Sequence, residues 1–147
     1  MTALVDVTRL LARTRGLCIV STARADGTVQ SSLVNAGVLR HPVSGDEVMG
    51  FVVRAGTRKL ANLRARPQVT VAVHEGWEWA AAEGDAQVVG PDDRVDGIDA
   101  EMLRLLLRAV FVAAGGTHDD WDEFDRVMFT ERRAAVLVAP SRIYSNG

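Results

Sequence analysis

Arg54-Ala55-Gly56-Thr57-Arg58-Lys59-Leu60-Ala61-Asn62-Leu63-Arg64-Ala65-Arg66-Pro67 joins a strand-like run, Val48 to Arg54, to a short helix. Gly56 breaks the apolar run, Thr57 stands where an N-cap side chain accepts a backbone N–H, and Pro67 stops the helix about three turns on. The first turn carries Arg58 and Lys59, although the positive end of the helix dipole disfavours each cation by roughly 0.3 to 1 kcal/mol. A phosphate held by free helix N–H groups, the Thr57 hydroxyl and the two cations offsets that cost, so the stretch reads as an anion site. Lys59 is the only lysine among sixteen arginines, which points to a need for a compact ammonium at this position. A surface helix with a solvated basic face, including Arg64 and Arg66, is the competing reading.

Outward from this stretch, hairpins dominate. Leu17 to Ala23 and Val29 to Leu39 flank the turn Asp26-Gly27, and the second strand places Ser32 and Val34 on one face and Leu33 and Asn35 on the other. After Pro67, Gln68 to His74 alternates valines with smaller or polar residues. Glu75-Gly76 then turns into a long strand from Trp77 to Val89, with Trp77 and Trp79 on one face and Gly84 marking a bulge or close backbone approach. A short amphipathic helix is expected over Asp6 to Arg15. Asp99 caps another from Ala100 to about Ala114, whose stripe is Met102, Leu105, Leu106 and Ala109 or Val110, with Gly115-Gly116 ending it. Asp120 with Glu123 resembles a capping box for a helix presenting Trp121, Phe124 and Met128, and Arg132 to Tyr144 is the last strand. The pattern predicts one α+β domain over residues 1–147, its antiparallel sheet closed into a barrel.

Charge and composition narrow the function. The net charge of −2 argues against a dedicated nucleic-acid binder, yet residues 54–66 hold five cations and no acid, whereas 92–125 hold ten acids and three arginines. The anion site is therefore local. Cys18, the only cysteine, excludes an intrachain disulfide and fits a reducing compartment. The first sixteen residues lack the apolar run of a leader or a membrane span, so a soluble cytoplasmic protein is expected.

His41, His74 and His118 lack metal-ligand spacing, Asp92 to Gly97 fails as a calcium loop at its third and twelfth positions, and the acids around Asp120 suit helix capping. No metal site is expected. There is no nucleophile elbow, Walker sequence or G-x-G-x-x-G, and Cys18 lies in an apolar strand where a thiol is usually inert. What remains is the cationic helix start, the polar second strand and the tryptophan pair, a set suited to one planar anionic cofactor that brings its own chemistry.

Gly27-Thr28-Val29-Gln30-Ser31-Ser32-Leu33-Val34-Asn35, Phe51-Val52-Val53-Arg54-Ala55-Gly56-Thr57-Arg58-Lys59 and Asn62 to Pro67 resemble the pyridoxamine 5′-phosphate oxidase-like split β-barrel flavoproteins. Gly76-Trp77-Glu78-Trp79 and Arg142-Ile143-Tyr144-Ser145 are most similar to the actinobacterial branch that uses the deazaflavin coenzyme F420. The resemblance implies a homodimer with two cofactor sites at the subunit interface. It implies that Thr57, Arg58 and Lys59 hold the cofactor phosphate and that Ser32, Val34 and Asn35 line its ring. Val52 and Val53 would lie beside the ring, with Arg54 closing the same strand as a further cofactor-binding residue, and Trp79 would lie where the partner reaches the cofactor. Ordinary dimer packing is the other reading of the tryptophans.

The sequence departs from the family pattern in two places. The usual Gly-x-Pro-His is Gly27-Thr28-Val29-Gln30, and the Arg-x-His substrate signature is missing, which argues against vitamin B6 oxidation. The implied activity is hydride transfer between reduced F420 and a small organic acceptor such as an enone, a quinone or a tetrapyrrole-like molecule, with no catalytic side chain assigned. An FMN-dependent oxidase or reductase, a non-catalytic F420 or flavin carrier, and a structural dimer with an acidic partner are the alternatives.

Overall fold

A computed structural model describes residues 3–147. Its order is α1 (Leu4–Arg13), β1 (Leu17–Ala23), β2 (Val29–Arg40), β3 (Glu47–Val53), α2 (Arg58–Ala65), β4 (Gln68–Glu75), β5 (Glu78–Val89), α3 (Ala100–Ala113), α4 (Trp121–Thr130) and β6 (Ala134–Ser145). The six strands form a closed antiparallel barrel in the order β1-β2-β3-β6-β5-β4. This is the expected α+β barrel. The reading of the first sixteen residues takes in Met1 and Thr2, which lie outside the described residues. Among the described residues no helix is long and apolar enough to cross a membrane, and no group of three or more His, Cys, Asp or Glu is placed to hold a metal ion.

Two cores follow from the period-two alternation of the strands. Inward-facing Cys18 and Val20 of β1, Met49, Phe51 and Val53 of β3, Val69, Val71 and Val73 of β4, and Val136 and Val138 of β6 fill the barrel. Val7, Leu10 and Leu11 of α1 and Leu60 and Leu63 of α2 join that core. The outward residues Val48, Ala135 and Leu137 meet Leu106, Leu107 and Val110 of α3 and Phe124 of α4. Ala134 to Val138 is therefore buried on both faces, which is why it reads as a continuous apolar run.

Several expectations shift. Helix α1 starts and stops two residues early, because Arg15 (φ 55°) and Gly16 (φ 80°) already turn the chain. Helix α2 has eight residues, nearer two turns than three. Trp77 lies in the β4–β5 turn and is 92% exposed, so it does not share a strand face with Trp79. The buried stripe of α3 is Leu106, Leu107 and Val110, while Leu105 is exposed. Arg132 takes a left-handed turn (φ 49°), and β6 begins only at Ala134.

Polar ties hold α2 in place. Asn62, itself buried, donates through Nδ2 to Thr22 Oγ1 at 3.0 Å, and Thr22 donates to Gln30 Oε1 at 3.3 Å. Arg66 Nε donates to the Ala23 carbonyl at 2.9 Å, and Arg64 grips Asp93 through two hydrogen bonds of 2.9 and 2.7 Å. The basic face of the helix is thus partly structural. Between α3 and α4, Asp125 accepts from both Arg104 and Arg108, and the Arg108 guanidinium holds its carboxyl below the usual range.

Two glycines are dictated by close approach. At Gly84 the β5–β6 register shifts, and a Cβ there would overlap the Ala139 carbonyl. At Gly37 of β2 a Cβ would overlap the Ala113 carbonyl, because the C-terminus of α3 lies directly on the strand. Gly37→Ala is expected to push that helix end outward and destabilise the protein by about 2 kcal/mol, in the range of an overpacked interior. The shift in urea midpoint against the parent checks this.

Candidate functional site

A cleft of about 590 Å³ opens where β3 turns into α2. Leu33, Val34 and Asn35 of β2 and Val52, Val53 and Arg54 at the end of β3 form part of its lining. Thr57 and Lys59 enter from the start of α2. Val110, Phe111, Ala114 and the Gly115-Gly116 pair come from the end of α3, and Arg15 and Arg133 complete the lining. Strand, turn and two helix ends thus converge on one space.

Seven of the ten residues singled out from sequence meet here: Val34, Asn35, Val52, Val53, Arg54, Thr57 and Lys59. Ser32, Arg58 and Trp79 are not in the lining. Ser32 lies opposite the fully buried Val20, and its Oγ is buried without a hydrogen-bond partner. Arg58, the first residue of α2, is exposed. Trp79 lies in a separate pocket with Arg9, Glu78 and Asn146, its ring edge-on to Tyr144 at 6.1 Å.

The electrostatics of the cleft are one-sided. Arg15, Arg54, Lys59 and Arg133 line it and no carboxylate does. Glu131, outside the lining, accepts from Arg133 Nη2 at 3.0 Å and lies 3.8 Å from Arg54. Lys59 has no acidic partner among the described residues, and partial burial pulls its pKa below the ordinary lysine value. A half-buried ammonium without a counter-charge is a position of electrostatic strain that a bound anion relieves.

The helix start differs from the expected cap in one respect. The Thr57 hydroxyl donates to the Arg54 carbonyl at 3.1 Å, and no side chain caps α2. The turn at Gly56 (φ 81°) brings that carbonyl within reach and draws the hydroxyl away from the helix. The first N–H groups of α2 therefore have no side-chain acceptor, the arrangement that favours an external anion. Opposite them, Asn35 Nδ2 donates to the Arg15 carbonyl at 2.9 Å, which fixes the amide at the cleft.

Sequence reading missed the α3 wall and both outlying arginines. Phe111 is held in an aromatic cluster, 5.0 Å from Phe124 and 6.2 Å from Trp121 between ring centroids, so that wall is rigidly packed. The available signal was the Gly115-Gly116 pair after an apolar helix, where small residues let the chain approach a neighbour. Burial pushes the Cys18 thiol up to about 12, in line with an inert strand cysteine.

A family model described as pyridoxamine 5′-phosphate oxidase matches residues 5–137. Solved structures share the fold. The conserved hypothetical protein Rv2991 from Mycobacterium tuberculosis superposes with a TM-score of 0.70 at 18% identity, over 99% of this chain and 84% of that one. An F420 reductase gives 0.60 at 19% identity, over 92% and 94%. A pyridoxamine 5′-phosphate oxidase-related, FMN-binding protein from Nostoc punctiforme gives 0.64 at 11% identity, over 99% and 86%. With a match that spans nearly the whole chain and a barrel of the same architecture, this protein belongs to the pyridoxamine 5′-phosphate oxidase family.

Proposed function

We propose that the protein is an F420-dependent reductase that transfers a hydride between the reduced deazaflavin and a small organic acceptor. The observation that carries this reading is the cleft, with four cations and no carboxylate in its lining beside apolar walls of Leu33, Val34, Val52, Val53 and Phe111. Such a space suits a planar ring with an anionic tail. Bound there, the deazaflavin would supply the hydride. Lys59 and the uncapped start of α2 would hold the anionic end, the valines and Phe111 would shield the ring from water, and Asn35 would orient it. The chain's contribution would be binding and positioning. FMN, named for the Nostoc structure, is the second reading, because its ring and phosphate make the same demands on these residues.

The active unit is a homodimer in this proposal. The outer face of β1 and β2 leaves Ile19 40% and Leu33 63% exposed as a cross-strand pair, with Leu17 and Val29 exposed on the same strands. Leu33 also lines the cleft, so a second copy seated on this apolar stripe would cover the cofactor edge as well. Trp79, outside its own chain's cleft, would meet the cofactor of the partner.

Parallel titration of the purified protein with F420 and FMN tests the reading, and preferential uptake of F420 is the expected result. Preference for FMN would replace the deazaflavin with a flavin, and no uptake of either would overturn the cofactor assignment. Lys59→Ala is expected to weaken binding about 10- to 100-fold, the worth of a hydrogen bond to a charged group. Arg58→Ala, outside the lining, should do much less.

Charged Lys59 strengthens anion binding, and its pKa already lies below the ordinary value, so affinity should fall as pH rises through that depressed pKa. Lys59→Arg, which keeps its proton at all these pH values, should remove the alkaline fall in a binding-versus-pH series.

Ile19→Asp places a charge on the outer stripe without touching the cleft lining. It is expected to give a folded monomer in sedimentation with reduced cofactor affinity, and an intact dimer with unchanged binding would contradict the shared site.

A further inference from the structure

A second, larger cavity of about 950 Å³ lies among the 90–99 segment, the start of α3 and the end of α4. It shares only Arg133 with the cleft described above. Ile98, Leu103, Leu107, Met128 and Phe129 supply its apolar walls. Phe129 is 79% exposed, a large apolar surface for water to cover. The volume falls within the range of small-molecule pockets.

The polar groups around it are unequally spent. Each carboxylate in the lining is engaged. Asp93 accepts two bonds from Arg64, Glu101 two from Arg104, Asp125 bonds from Arg104 and Arg108, and Asp99 the Met102 N–H at 2.8 Å. The cations are not all engaged. Arg94 has no acidic partner among the described residues. Arg133 reaches Glu131 through Nη2, but its Nε is buried and has no acceptor. A buried donor without an acceptor is the kind of group a ligand oxygen satisfies. An entering carboxylate would find free guanidinium donors, whereas an entering ammonium would have to compete with pairs already formed.

From this asymmetry we propose that the cavity is a second ligand site, binding an apolar organic molecule that carries one carboxylate, with Arg94 and Arg133 as its anion partners and the α3–α4 wall around its apolar body. Apart from Arg133, which lines both spaces, the site is built from residues outside the proposed cofactor cleft, and Arg94, which lines this cavity alone, is the partner that distinguishes it.

Three matched probes test it: 2-naphthoate, 2-naphthylmethanol and 2-naphthylmethylammonium, titrated calorimetrically into the purified protein. The carboxylate should bind at least tenfold more tightly than the alcohol, and the ammonium most weakly. Arg94→Gln should remove most of the preference for the carboxylate while leaving the alcohol unchanged. Ala100→Trp, at an exposed lining position, should exclude all three without changing the melting temperature, and Lys59→Ala, in the other cleft, should leave the binding of all three probes as it is. Equal binding of carboxylate and alcohol would overturn the proposal. So would naphthoate binding that survives Ala100→Trp but fails in Lys59→Ala, which would place the probe in the other cleft. Failure to bind naphthoate, together with a dimer that Phe129→Asp dissociates, would instead make the cavity an interface between copies and would equally overturn it.

Discussion

Strand β6 is hydrogen-bonded along both edges, to β3 and β5, and its first five residues are buried on both faces. That double burial is the constraint from which the rest of the site follows. It fixes β3 against the barrel, and β3 delivers Val52, Val53 and Arg54 to the cleft. On the outer face, Ala135 and Leu137 anchor α3, whose far end comes down on Gly37 and becomes the opposite wall. Just ahead of β6, Arg133 stands between the two cavities. A single strand with no polar side chain in its buried stretch therefore sets the distance across a polar site.

The five cations of residues 54–66 do different work once the chain is folded. Arg64 and Arg66 are consumed by Asp93, the Ala23 carbonyl and Asn62, and these contacts lock α2 onto its neighbours. A salt bridge as exposed as Arg64–Asp93 contributes at most about 1 kcal/mol, so its value is in orientation. Arg54 shares Glu131 with Arg133 at a longer distance. Among these five, Lys59 alone is partly buried with neither an acid nor a hydrogen-bond acceptor among the described residues. The helix dipole, the uncapped N–H groups and the desolvated ammonium all point the same way, toward a negative group from outside the chain. No one of these effects suffices, but each lacks an internal counterweight.

Much of the fold was legible because the strands obey a strict alternation and the turns carry their usual residues. Asp26-Gly27 separates β1 from β2 where expected, the second turn falls one residue later at Gly76-Trp77, Gly84 sits at a register shift, and Asp99 and Asp120 cap their helices. Errors arose where a local pattern was ambiguous about facing. Leu105 and Leu106 both fit an apolar stripe, and only the position of the barrel decides that Leu106 turns inward. Trp77 fits a strand until the two-residue turn takes it. Thr57 has the chemistry of an N-cap, yet its hydroxyl donates back across the glycine turn to the Arg54 carbonyl and accepts no helix N–H. The cleft was legible only on the side contributed by β2, β3 and α2, because those residues are linked by one strand-turn-helix unit. The α3 wall, Arg15 and Arg133 reach the site through tertiary packing, which leaves no periodic trace in sequence.

The cleft is rich in cations and apolar walls and poor in groups that move protons, and this bears on what the fold can contribute to chemistry. No histidine, cysteine or carboxylate is among its lining residues. Glu131, the nearest carboxylate by its contacts, is held between two arginines, and Asn35 is committed through its amide to a backbone carbonyl. General acid–base catalysis needs a group poised near the working pH and within hydrogen-bond reach of the reacting atom. The one titratable group with a displaced pKa in the lining is Lys59, and its surroundings suit holding an anion better than shuttling a proton, since the free N–H groups beside it reward charge that stays. With the proposed cofactor bound, a site built this way would gain rate by orienting a reactive molecule and excluding water from one of its faces, which would place the demand for chemistry on that cofactor and leave selectivity to the shape of the open side.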